Sequence, residues 1–124
     1  MTSEEVEQFR KMAAQLDALH QEATAASKKQ PDKPVSKFKV ELANSVLETS
    51  KKVLGSSAPT LNFERFDADD LPTNSDLSFV VSQFVECAEK VKAQNIQRYS
   101  NGVWYWKVLN SISDIVATAP KGVR

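Results

Sequence analysis

Very few side chains in this sequence could carry out chemistry by themselves. His20 is the only histidine and Cys87 the only cysteine, so no Cys/His cluster can supply the four ligands of a zinc site. A nucleophilic cysteine needs a nearby base and electropositive surroundings, whereas Cys87 is flanked by Glu86 and Glu89. We therefore predict no metal and no cofactor, and we interpret His20 and Cys87 as structural residues.

An acidic segment lies in the middle of the chain. Residues 56–76 contain five acidic residues and one basic residue, which gives a net charge of −4. The run of Asp67, Asp69 and Asp70 lacks both the glycine and the final glutamate of a calcium-binding loop, so we interpret it as a solvated loop. The alternative is a docking surface for a basic partner protein, in which these three aspartates contact the partner.

A group of lysines surrounds the first predicted connection between helices. Its members are Lys28, Lys29, Lys33, Lys37 and Lys39. No aromatic residues alternate with them in the way that favours binding of single-stranded nucleic acid. We interpret the group as a solvated, charged connection, and a patch for phosphate or an anionic membrane is the alternative.

Trp104, Tyr105 and Trp106 form the most informative aromatic group. The spacing predicts a helix here, and on a helix consecutive side chains point about 100° apart. Tyr105 then lies on the apolar stripe, Trp104 at its flank and Trp106 off it. One interpretation is that a loop carrying Phe63 and Phe66 packs over Trp106. The other is that Trp106, together with Trp104, anchors a partner protein, as Trp does at binding hot spots.

Four segments with the helical period of apolar residues must position these side chains. We predict helices over residues 3–29, 34–54, 75–98 and 103–119. A capping box of Thr2 and Glu5 begins the first helix, and Asp32 with Pro34 begins the second. The stripe of the second helix includes Phe38, which we therefore expect to be buried.

The segment between the second and third helices, residues 56–74, has no sustained period and contains Pro59 and Pro72. We expect it to cross the bundle, anchored by the apolar side chains Leu61, Phe63, Phe66 and Leu71. No segment alternates as a strand does. The sequence therefore predicts a single all-α domain: a four-helix bundle of two helical hairpins joined by a long, acidic, proline-containing crossover loop.

The composition excludes some classes of function. Sixteen basic and sixteen acidic residues give a formal net charge of zero, which argues against a nucleic-acid binder. No apolar run approaches the ~20 residues that span a bilayer, and no secretory signal is apparent, so we expect no membrane insertion and a cytoplasmic or nuclear location. The pattern leaves homo-oligomers open.

These observations favour a non-enzymatic helical protein–protein interaction module, either an adaptor or a subunit of a larger complex. The expected partner is another protein, with a basic surface if the acidic loop contacts it. Our candidate partner-binding residues are Trp104, Trp106, Asp67, Asp69 and Asp70. The alternatives are a carrier that binds a small apolar ligand between its helices, and an enzyme without a recognisable motif.

Overall fold

The structure, a computed structural model, describes residues 1–60, 64–109 and 111–120, with the backbone alone for residues 111 and 112. Within these residues the chain forms three α-helices, one turn of 3₁₀ helix and a three-stranded antiparallel sheet. The elements are α1 (Ser3–Lys29), α2 (Lys37–Leu54), the 3₁₀ turn (Gly55–Ser57), α3 (Asn74–Gln94), β1 (Ile96–Arg98), β2 (Trp104–Val108) and β3 (Ser111–Ala117). The fold is therefore mixed α/β, and the predicted all-α four-helix bundle is wrong.

Helix α1 begins at a capping box. The Glu5 amide donates to the Thr2 hydroxyl at 3.1 Å, and the Thr2 amide donates to the Glu5 carboxylate at 2.9 Å. Helix α3 begins in the same way, with Thr73 as the cap and Asp76 as its partner. The sequence pattern identifies the first of these boxes directly, because both residues stand at the required spacing.

Helix α2 begins later than the sequence predicts. Ser36, and not Asp32, caps it by accepting the Lys39 amide at 3.3 Å. The residues before the cap are held extended by the chain ahead of α3: Pro34 forms a β-bridge with Thr73, and the Val35 amide donates to the Pro72 carbonyl at 2.8 Å. Because of these contacts between distant segments, residues 34–36 are extended, and α2 begins at Lys37 instead of at residue 34.

The largest correction concerns strands β1, β2 and β3, which form an antiparallel meander where we predicted the end of one helix and the whole of another. Aromatic and β-branched residues fit the half-buried surface of a sheet, and the Trp104-Tyr105-Trp106 run consists of such residues. On strand β2, Trp104 and Trp106 share one face while Tyr105 points to the other. The turn at Gly102, with a φ of 84°, lets β1 and β2 run antiparallel.

The sheet has the order β1-β2-β3, and its third strand contains a bulge opposite Trp106. Tyr105 pairs with Val116 and Lys107 with Ile112, so three residues of β3 stand opposite Trp106 alone. The Ser113 hydroxyl donates to the Trp106 carbonyl within this bulge. The bulge therefore fixes the backbone of β2 at the residue that enters the core.

Helices α2 and α3 both pack on α1. Helix α3 begins where α1 ends, because the Asn74 side chain donates to the Gln30 carbonyl at 2.8 Å. The sheet contacts the first half of α1, and its Trp106 enters the core there. Through Trp106, the sheet therefore packs on the first half of α1, around Phe9.

The loop before α3 is fastened to α2 at Phe66, which is buried. The Asn44 side chain donates to the Phe66 carbonyl at 2.9 Å and accepts the Phe66 amide at 2.8 Å. Leu71 is more exposed, and the predicted anchors Leu61 and Phe63 lie outside the described residues. Of the four predicted anchors, the structure thus buries Phe66.

Candidate docking surface

Trp106, the strongest candidate anchor from the sequence, lies in the core. Its side chain is 3% exposed, and its ring meets that of Phe9 edge to face, with centroids 5.4 Å apart. Alternation along a strand, and not a helical period, turns it inward. Partner binding through Trp106 stays a prediction that would require the sheet to separate from α1. Phe9 contacts the indole, while Phe63, part of the predicted cover, lies outside the described residues.

Trp104 and the three aspartates are spread over different parts of the molecule. Trp104 is half-buried and packs against the core from the sheet. Asp67, Asp69 and Asp70 are exposed on the loop before α3. The Asp69 carboxylate lies 3.6 Å from the Lys37 amino group, so part of the acidic loop meets a lysine of its own chain. The structure does not bring the tryptophans and the aspartates together in one surface.

His20 and Cys87 are both half-buried, on α1 and α3 respectively. Among residues 1–60, 64–109 and 111–120, no group of three or more His, Cys, Asp or Glu side chains is arranged to hold a metal ion. None of the helices in this part of the chain combines the length and apolar character needed to cross a bilayer.

The apolar surface that the sequence reasoning missed lies on α2. Phe38 is 70% exposed and Leu42, one turn later, is 52% exposed. Helix α2 packs inward through a different set of residues, which includes Val40, Ala43 and Leu47. The signal was present in the sequence: apolar residues of α2 cover more than one side of the helix, so a single partner cannot bury them all.

Phe38 and Leu42 stand at the mouth of a cavity between the helices, which we call the Phe38 groove. Its volume is about 240 Å³, and its walls combine residues of α1, α2 and the start of α3. The side of α1 contributes Leu19 and the small residues Ala23 and Ala26. The cavity exists because these alanine side chains are small, and the ring of Phe38 is exposed beside it.

One end of the Phe38 groove opens into a more polar cavity of about 510 Å³, which we call the lysine end. Lys29 and Lys33 line this cavity, together with Lys39 and Glu22. Lys39 and Glu22 lie 3.3 Å apart and also line the Phe38 groove, so their ion pair marks the junction of the two cavities. The combined surface is apolar at one end and cationic at the other.

A third cavity, of about 250 Å³, lies between α1, α3 and the end of β3. Phe9 and Trp106 are among its lining residues. Its charged residues are of both signs: Arg10, Asp17, Glu89 and Lys92. It therefore presents no preference for an anion or a cation, unlike the lysine end.

Comparison of the chain with protein-family models, with curated proteins and with solved structures finds no match.

Proposed function

We propose that this protein is a non-enzymatic interaction module that binds a partner protein in the Phe38 groove. The observation that carries the proposal is the exposure of Phe38 and Leu42, 70% and 52%, at the mouth of an apolar cavity. Single exposed apolar residues are common on protein surfaces, but adjacent ones beside a concave apolar wall are typical of binding sites. The proposed role is that of an adaptor or a complex subunit.

The energetic reason is the apolar area that a partner would remove from water. Complete burial of a Phe or Leu side chain contributes about 1.5–3 kcal/mol. Phe38 and Leu42 retain most or half of their accessible surface in the isolated chain, so much of this contribution is left for binding. The alternative of a small apolar ligand is less favoured, because such ligands are bound in enclosed sites and Phe38 projects outward.

Phe79 supplies a matched control. It is 63% exposed on α3, but it does not line the Phe38 groove. Replacement of Phe38 or Phe79 by Ser removes the same exposed ring from a helix surface. Both variants should keep the wild-type stability to within about 0.5 kcal/mol, because neither ring is packed in the core.

The test is affinity purification of tagged wild-type, Phe38→Ser, Leu42→Ser and Phe79→Ser proteins from native lysate. We expect the first two substitutions to reduce recovery of a co-purifying protein at least tenfold, and Phe79→Ser to leave it unchanged. Urea unfolding checks that each variant is folded. Equal recovery by wild type and by folded Phe38→Ser would refute binding in the Phe38 groove.

A further inference from the structure

We infer that the occupant of the Phe38 groove is an amphipathic helix of a partner protein, with carboxylates in the turn that lies over the lysine end. This inference rests on the proposed function and adds the chemistry of the partner. Its basis is the asymmetry of the surface, which is apolar around Phe38 and basic around Lys29 and Lys33.

The charges of the lysine end favour an acidic partner. Three lysines and one glutamate line it, and the glutamate, Glu22, pairs with Lys39. Within the part of the chain that the structure describes, Lys29 and Lys33 have no ion pair, and both are exposed. Complementary charge at a binding surface raises the association rate and selects the partner, so two carboxylates over these lysines are favoured.

The shape favours a helix. Helices α1 and α2 pack against each other, and the residues of α1 that line the Phe38 groove and the lysine end extend from Leu19 to Lys29. Ten residues of helix span about 15 Å at a rise of 1.5 Å per residue, which is the length of about three turns of a bound helix. The small side chain of Ala26, which is half-buried, leaves room for an apolar side chain of that helix in the groove. An amphipathic helix that places its apolar face in a groove is a recurring mode of recognition.

The concave shape argues against a bilayer as the occupant. A membrane surface would contact the projecting ring of Phe38 and the nearby lysines. It is flat, however, and the cavity of about 240 Å³ beside Phe38 is recessed between the helices. A side chain projecting from a narrow helix can enter such a cavity, whereas a flat bilayer surface cannot.

The first experiment selects binders from a displayed library of 16-residue helical peptides. Leucines at the i, i+3, i+4 and i+7 positions are kept, and the outer positions of both terminal turns are varied among Glu, Gln and Lys. We expect the wild-type protein to enrich Glu over Lys at least tenfold in one terminal turn. The double variant Lys29→Glu/Lys33→Glu should enrich Lys there, and Phe38→Ser should enrich no peptide, while Phe79→Ser should behave as wild type.

The second experiment measures a selected peptide, labelled with a fluorophore, by fluorescence anisotropy. We expect Lys29→Glu/Lys33→Glu to weaken its binding at least tenfold. An increase in salt should weaken binding to the wild type more than to a double Gln variant, Lys29→Gln/Lys33→Gln, because salt screens exposed charges. Circular dichroism of the peptide should show a gain of helix on binding.

Several outcomes would overturn the inference. One is equal enrichment of Gln and Glu by the wild type, and another is the failure of the library to yield any binder that depends on Phe38. Flotation with vesicles of anionic lipid that depends on Phe38 would favour a membrane. A Phe38-dependent dimer in light scattering that excludes the peptide would identify a second copy as the occupant. In any of these cases, Phe38-dependent capture of a different protein from lysate would still support the proposed function.

Discussion

The two ends of α1 show how the same kind of apolar helix surface can be completed or left open. Near its start, Phe9 meets Trp106 of the sheet, and both side chains are buried. Near its end, Ala26 lines a groove beside which Phe38 is 70% exposed and Leu42 is 52% exposed. The sheet covers the first end, whereas at the second end Phe38 and Leu42 keep much of their surface in water.

This difference indicates that Trp106 and Phe38 have different roles. At the sheet end, apolar burial stabilises the fold, because the contact forms whenever the chain folds. At the groove end, the exposed surface of Phe38 and Leu42 contributes little to folding and remains available for association. In our proposal, the partner is therefore anchored by Phe38, near the far end of α1, and not by Trp106.

The largest loss of stability is expected for Trp106→Ala. Removal of a large buried aromatic side chain costs about 3–5 kcal/mol, because apolar burial is lost and a cavity remains. We expect a loss of this size in urea unfolding. Phe38→Ala is the matched change at the open end and should alter stability by less than about 0.5 kcal/mol. Similar losses for the two variants would contradict the assignment of different roles.

An intermediate effect is expected from Asn44→Ala, which tests the loop that is fastened to α2. The substitution removes both hydrogen bonds to the Phe66 backbone, and loss of buried hydrogen bonds costs about 1–3 kcal/mol. Limited trypsin digestion should show faster cleavage after the exposed Arg65, while the fluorescence of Trp104 and Trp106 stays native.

Ser45→Ala, an exposed neighbour on α2, is the control for Asn44→Ala. If the two variants have equal stability and equal cleavage rates, the loop does not depend on Asn44.

The smallest effect concerns the cap at the sheet end of α1. The pKa of Glu5 lies below its ordinary value of 4.5, because its carboxylate accepts the Thr2 backbone amide and interacts with the Thr2 side chain. Since the folded pKa is lowered, the stabilisation is present above the pKa of the unfolded chain and is lost as the pH falls through the folded pKa. Unfolding measured from pH 7 to pH 3 should show a shallower acid loss for Glu5→Gln than for wild type.

Glu4→Gln, in the same turn of α1, is the control for this acid titration. Glu4 is exposed and is not part of the capping box. Its variant should retain the wild-type dependence on pH. Parallel curves for wild type and Glu5→Gln would show that the Glu5 carboxylate does not contribute to stability through the cap.

The sequence predicts elements best where the deciding interactions are local. The capping box at Thr2 needs only two residues three positions apart. Pro31 explains the end of α1 at Lys29, because a proline disfavours the helical conformation of the residue before it. The start of α2 was misplaced because the extended residues before it bond to Pro72 and Thr73, which are distant in sequence. No pattern within α2 itself contains that information.

The meander shows the limit of periodicity most clearly. Residues 103–119 contain apolar residues that satisfy both a helical stripe and short alternating strands, so the pattern alone did not separate the two. The Asn101-Gly102 pair is a strong hairpin signal, and in the structure it lies in the turn between β1 and β2. The pairing of Ile96 with Trp106 makes the choice, because it places both side chains against the helices.

The candidate site divides in the same way. The amino-acid sequence is enough to identify the local features: the capping box of α1, the lysines around the first connection, the acidic segment and the lack of a Cys/His cluster. The burial of Trp106 and the exposure of Phe38 beside a groove are visible only in the folded chain. Burial depends on which surfaces meet, and the apolar residues of α2 lie on more sides of that helix than the other described residues cover.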